Sequence, residues 1–159
     1  MSPIGTSTAA LISGINSMSL TSVGTVLGEQ LRDASLYYSG NFGYATPIQL
    51  ECQPNFVIAI SDGLYTGTRP RDQATALYTT DHSNTLPNNP DIQKVMVHTI
   101  GFALPPEDRD AANPELQATA QNGGGQFFST ESEAQLEAAL EEAIRRIVAA
   151  TFSLSLIHI

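Results

Sequence analysis

The chain has 159 residues, a hydrophobic fraction of 42% and a formal net charge of −9, with an isoelectric point near 4.5. That is about one domain with room for a buried core. The charge argues against a nucleic-acid partner, because phosphate binding needs clustered Lys and Arg, and no stretch approaches the ~18 apolar residues of a transmembrane segment.

Residues Thr8 to Met18 carry Leu11, Ile12, Ile15 and Met18 at helical spacing. Ser19 to Gly24 is a polar break. A second helix is expected from Thr25 to Tyr38, with Val26, Leu27, Leu31, Ala34, Leu36, Tyr37 and Tyr38 as a broad apolar face. Gly40 suits a left-handed cap behind it. After a loop containing Pro47, Cys52 and Pro54, the run Phe56 to Ser61 is apolar and β-branched. It reads as a buried strand of a parallel sheet, covered on both faces. Cys52 is the only cysteine, so it is a free thiol or has its partner in another chain.

A loop from Gly63 to Pro70 leads to a short helix, Arg71 to Tyr78, with Ala74, Leu77 and Tyr78 inward. Thr79 to Asp91 is turn-rich and exposed, with Pro87 and Pro90. Val95 to Phe102 is a second strand. Pro105 to Asn113 reads as a polar loop, Glu115 to Asn122 as a short helix stopped by Gly123-Gly124-Gly125, and Gln126 to Ser129 as a short strand. The last helix has Thr130 and Glu133 at capping-box spacing, Leu136, Leu140, Ile144, Ile147 and Val148 along one face, and Arg145 and Arg146 towards the end that favours cations. Residues 154–159 read as a non-native or disordered tail, with a terminal strand as the alternative. Strands alternating with helices predict α/β architecture with a parallel sheet, of which three strands are visible.

Ligands of open α/β sheets bind beyond the carboxyl ends of the strands, which singles out Asp62. Asp-Gly after a strand is also ordinary turn chemistry. Thr25 is either a hydroxyl ligand or a helix-start residue. Together they are consistent with an oxygen-rich site for a hard cation such as Mg²⁺, which takes few protein groups and keeps waters. Gly24 to Gly28 lacks the Gly-Lys-Ser/Thr ending of a phosphate loop. Asp108 and Asp110 begin like a calcium loop that Ala112 and Asn113 break. His82, His98 and His158 show no metal spacing, and His98 reads as a hydrogen-bonded core residue. Ser61 lacks a nucleophile elbow, so no nucleophilic catalysis is expected.

Ser22-Val23-Gly24-Thr25-Val26-Leu27-Gly28-Glu29-Gln30-Leu31 resembles the Gly-Gly-Thr-Pro-Leu segment of von Willebrand factor A domains. Phe56 to Gly63 resembles their Ser-Asp-Gly strand, His98 to Phe102 the next strand, and Ala118 to Phe128 with the final helix the remainder. Cys52 to Phe56 and Leu77 to Asp81 resemble segments of the PilY family of type IV pilus assembly and tip-adhesin proteins. The resemblance spans about residues 8 to 153. It implies a Rossmann-like three-layer fold and a metal-ion-dependent adhesion site in which Thr25 and Asp62 match the threonine and the aspartate. The family's Asp-x-Ser-x-Ser loop is absent and belongs upstream of Met1, which implies a domain without its first strands. The complete domain would bind Mg²⁺ or Mn²⁺, and this chain weakly or not at all.

The implied function is cation-dependent adhesion or protein–protein interaction with a protein ligand or pilus components, not catalysis. The implied location is extracellular or at the cell surface, after passage through the periplasm. Two alternatives stand beside it: a divalent-metal α/β hydrolase or phosphotransfer domain using Asp62, and a metal-free scaffold. An unpaired strand ending in Asp62 would also favour self-association through the exposed sheet edge.

Overall fold

The structure, a computed structural model, describes residues 7–17, 24–51, 53–83 and 92–155. Met18, Ser22, Val23, Cys52, the centre of the turn-rich segment with Pro87 and Pro90, and residues 156–159 lie outside the described residues. The elements in chain order are α1 (Thr8–Asn16), α2 (Leu27–Tyr38), β1 (Asn55–Ser61), α3 (Pro70–Thr79), β2 (Val95–Phe102), α4 (Pro106–Asn122), β3 (Gly124–Thr130) and α5 (Glu133–Ser155). The strands form one parallel sheet in the order β1-β2-β3, with Asn55 opposite Val95 and Ser61 opposite Gly101. This is the expected α/β, Rossmann-like architecture with helices on both faces.

Strand side chains alternate between faces. Val57 and Ala59 of β1, Val95 and Val97 of β2 and Phe127 of β3 belong to one cluster with Leu27 and Leu31 of α2, Ala74 and Leu77 of α3, and Leu116 of α4. On that face α3 packs between α2 and α4, and α4 also lies on β2 and β3. Leu31, Leu77, Val95 and Val97 are completely buried or nearly so, each stabilising the fold by about 1.5–3 kcal/mol relative to exposure. The opposite face carries Ile58, His98 and Ile100, and α5 lies over β2 and β3.

Several sequence expectations are corrected. Residues 105–113 are not a loop: α4 runs unbroken from Pro106 through Pro114 to Asn122. Pro106 sits in the first turn, where its missing N–H costs nothing, while Pro114 forgoes one helical bond at roughly 3 kcal/mol. Burial of Ala112, Leu116 and Ala120 at four-residue spacing offsets that loss. Thr130 does not cap α5: it ends β3, and its hydroxyl donates to the Gly101 carbonyl at 3.0 Å. The cap is Ser132, whose Oγ accepts from the Gln135 N–H at 3.3 Å, while Gln135 Oε1 accepts from the Glu131 N–H at 2.7 Å. The buried stripe of α5 uses Ala139 and Ala143, so Ile144 and Val148 are exposed. The last helix, α5, extends to Ser155. The first helix forms, but every described side chain on it is exposed.

Candidate functional site at the carboxyl end of the sheet

All three strands are parallel, so Ser61, Phe102 and Thr130 end at one edge. Asp62 follows β1 directly and is exposed to solvent. It does not cap its own turn: Ser61 does, its Oγ donating to the Gly63 carbonyl at 3.1 Å. The Asp62 carboxylate is thereby left to project from the edge.

Thr25 stands ahead of α2, not within it; the helix begins at Leu27. Thr25 forms an isolated parallel bridge with Tyr65, and its carbonyl accepts the Thr66 N–H at 2.8 Å. This short pairing brings the Thr25 hydroxyl beside the Asp62–Gly63 turn. A Cβ added to Gly63 would stand 3.4 Å from Thr25 Oγ1. The two residues singled out from the sequence therefore flank one small region of the sheet edge.

The loop from Gly63 to Arg69 is pinned from two further sides. Glu29, in the first turn of α2, reaches over to accept the Thr68 N–H at 2.9 Å. That backbone bond, first among several hydrogen bonds, holds the Glu29 carboxyl below its usual range. Close approach demands glycine twice here: a Cβ at Gly28 would meet the Thr68 carbonyl oxygen at 2.1 Å, and one at Gly67, where φ is +79°, would meet Glu29 Oε1 at 2.5 Å. On the other side Arg71, in the first turn of α3, makes a forked ion pair with Glu115 of α4, Nε lying 3.0 and 2.9 Å from the two carboxylate oxygens and Nη2 closer still to Oε2. The Glu115 side chain is 10% exposed, against 40% for Arg71.

Glu29, Arg71 and Glu115 were not singled out from the sequence. Glu29 stands in the sequence only within the segment Ser22 to Leu31, and nothing in the spacing of Arg71 and Glu115 announces their meeting. Among the described residues no group of three or more His, Cys, Asp or Glu side chains has the arrangement of a metal centre. Thr25 and Asp62 supply hard oxygen donors, the chemistry that Mg²⁺ or Mn²⁺ takes, but only two of the about six such an ion completes with water or partner oxygens.

The histidines lie elsewhere. His98 is buried under α5, its Nδ1 accepting the Gln126 N–H at 3.2 Å and its ring stacked on Phe56. This is the expected hydrogen-bonded core role; burial first, then Arg146, lowers its pKa. His82 is at the other end of the sheet, where Tyr38 at the close of α2 donates to the Phe56 carbonyl. Its Nε2 is 3.1 Å from the Leu77 carbonyl and its Nδ1 3.0 Å from Ser39 Oγ. A carbonyl only accepts, so Nε2 carries the proton and Nδ1 accepts from Ser39. The pair ties the end of α2 to the segment after α3, and burial lowers the His82 pKa.

No family model matches the chain, and no curated protein does. Two solved structures share the fold. One is described as the conserved hypothetical protein BatB from Bacteroides thetaiotaomicron: 18% identical, TM-score 0.58, covering 89% of this chain and 69% of the other. The second is an aerotolerance-related membrane protein from Bacteroides fragilis NCTC 9343 carrying multiple mutations to serines: 18% identical, TM-score 0.55, covering 87% and 69%. Among the described residues of this chain, no helix is long and apolar enough to cross a membrane.

Proposed function

We propose that the chain is a von Willebrand A-type interaction module of a pilus-associated, PilY-like protein at the bacterial surface, acting through a divalent cation rather than by catalysis. The observation that supports it is the placement of the Thr25 hydroxyl against the Asp62–Gly63 turn at the strand-end edge. In this reading Asp62 contributes a carboxylate oxygen to Mg²⁺ or Mn²⁺, and Thr25 its hydroxyl. The cation keeps an open position that a carboxylate of a protein ligand or pilus component completes. Glu29, Arg71 and Glu115 act by positioning: they hold the loop after Asp62 against α2 and α4, so the two donors are presented without reorganisation. Binding fits this edge better than hydrolysis or phosphoryl transfer. The hydrogen bond between Ser39 and His82 lies at the opposite end of the sheet from Asp62.

Two protein ligands offset little of the dehydration of Mg²⁺, so the expected affinity is weak. Paramagnetic Mn²⁺ tests the position directly. Its addition should broaden the NMR signals of Asp62, Gly63 and Thr25 first, and Asp62→Ala should remove that broadening while His98 and Gln126 stay unaffected in both proteins. Broadening centred on the acidic face of α5, or unchanged by Asp62→Ala, would refute the site.

A further inference from the structure

We propose that the link between Asp62 and Gly63 is a site of spontaneous isomerisation to isoaspartate, and that the fold makes it react ahead of the chain's other susceptible pair, Asn122-Gly123. The sequence holds one Asp-Gly and one Asn-Gly pair. A following glycine leaves the attacking nitrogen unhindered by a side chain. The reaction is intramolecular and needs no bound partner. The Gly63 nitrogen attacks Asp62 Cγ and gives up its proton. An N–C bond forms, a C–O bond of the carboxyl breaks, and water leaves. Water then adds to the five-membered imide that results. Opening at Cγ restores aspartate. Opening at the main-chain carbonyl carbon gives isoaspartate, with the main chain running through Cβ and a free carboxylate on the α-carbon. Asn122 follows the same path with ammonia as the leaving group.

In an unfolded chain the asparagine is the faster of the two, because its amide is neutral, whereas an aspartate at neutral pH is ionised and resists a nucleophile. The fold reverses that order. Asn122 is the last residue of α4, and closing the ring must turn its backbone away from the helical ψ of about −42°. The Gly123 N–H donates to the Thr119 carbonyl at 3.0 Å, and the Gly123 carbonyl accepts from the Val97 N–H at 3.0 Å. Gly123 is buried, and a Cβ built on it would stand 2.6 Å from Cβ of Val97, itself completely buried. The attacking nitrogen is therefore already bonded, in a peptide wedged between α4 and β2. Asn122 reacts only when that junction opens, so its rate follows the small open population.

Asp62 and Gly63 lack these restraints. Both lie in the bend after β1, and Asp62 is exposed. Among the described residues the Gly63 N–H reaches only Ser61 Oγ, at 3.5 Å, well beyond the roughly 2.9–3.0 Å of a good N–H···O bond. A Cβ on Gly63 would meet Thr25 Oγ1 at 3.4 Å, an ordinary contact, and no other described atom within 4 Å. The turn therefore has room to rotate, and its nitrogen is close to free. Conversion adds one main-chain carbon directly after Ser61 and hangs the carboxylate on the α-carbon. The charge is then no longer where the Asp62 side chain held it.

The test incubates the full chain in warm neutral buffer with EDTA, so that its outcome does not depend on the cation reading, beside a second sample held unfolded in urea. Peptide mapping with electron-transfer fragmentation locates isoaspartate at residue 62 and deamidation at residue 122. In the folded chain, isoaspartate at residue 62 should accumulate about tenfold faster than Asn122 deamidates, and in urea Asn122 should react first. Gly63→Ala fits the space beside Thr25 and should slow the reaction at residue 62 roughly tenfold, since a methyl group then hinders the nitrogen. Asp62→Glu keeps the charge without closing a five-membered ring; it should abolish the product and covers the case in which the alanine variant does not fold. Three results would overturn the proposal: Asn122 reacting ahead of Asp62 in the folded chain, no isoaspartate at residue 62 over a period in which the urea sample forms it, or a rate unchanged by Gly63→Ala in a chain with an unaltered melt.

Discussion

Removing Arg71 should destabilise the protein more than removing the charge of its partner. Glu115 is the buried member of the pair, at 10% side-chain exposure, and Arg71 remains 40% exposed. Arg71→Met therefore leaves a carboxylate in the interior with its guanidinium gone, whereas Glu115→Gln leaves a cation that water can reach. Breaking a fully buried pair costs about 3–5 kcal/mol and an exposed one about 0–1 kcal/mol. Screening at Arg71 puts Arg71→Met at about 2–3 kcal/mol and Glu115→Gln at about 1 kcal/mol. The double replacement Arg71→Met with Glu115→Leu should be less destabilised than Arg71→Met alone, because no charge is then stranded. Urea denaturation measures all three: with a slope near 2 kcal/mol/M, Arg71→Met should lower the midpoint by about 1–1.5 M. Amides of the loop from Gly63 to Thr68 should exchange faster in Arg71→Met, since Arg71 anchors that loop where it enters α3. The reasoning is refuted if Glu115→Gln costs as much as Arg71→Met, or if the double variant loses the sum of the two.

Three other outcomes follow from the same region and its opposite end. Gly28→Ala should destabilise by about 1–3 kcal/mol by denaturant titration despite alanine's better helix propensity, because its Cβ would press on the Thr68 carbonyl; an unchanged or raised midpoint would contradict the close approach. The folded pKa of Glu29 is depressed below 4.5, so its contribution is present above that value and is lost as pH falls through the folded pKa; the Thr68 amide shift should titrate there, and Glu29→Gln should abolish the titration. His82 is held neutral, with its folded pKa below 6.5, so its contribution is present above 6.5 and lost as pH falls below it; His82→Gln should show a shallower loss of stability on acidification, the remainder belonging to His98, and an identical slope would refute the assignment.

What the sequence disclosed followed from how local the signal was. β2 was legible to the residue, because Val95 to Phe102 is rich in apolar and β-branched residues and is largely buried on both faces, with His98 as its polar interruption. Gly40 takes the expected left-handed conformation behind α2, at φ +72°. α4 was missed in its first half because the residues it buries there are small: Ala112 carries little hydrophobic signal, and Pro105, Pro106 and Pro114 read as loop chemistry until the sheet is present to pack against. The stripe of α5 was misplaced for a related reason, since Ala139 and Ala143 fit closely where Ile144 and Val148 do not. Thr25 and Asp62 could be named as a pair, but Glu29, Arg71 and Glu115 could not, because their partners lie 39 and 44 residues away in the chain.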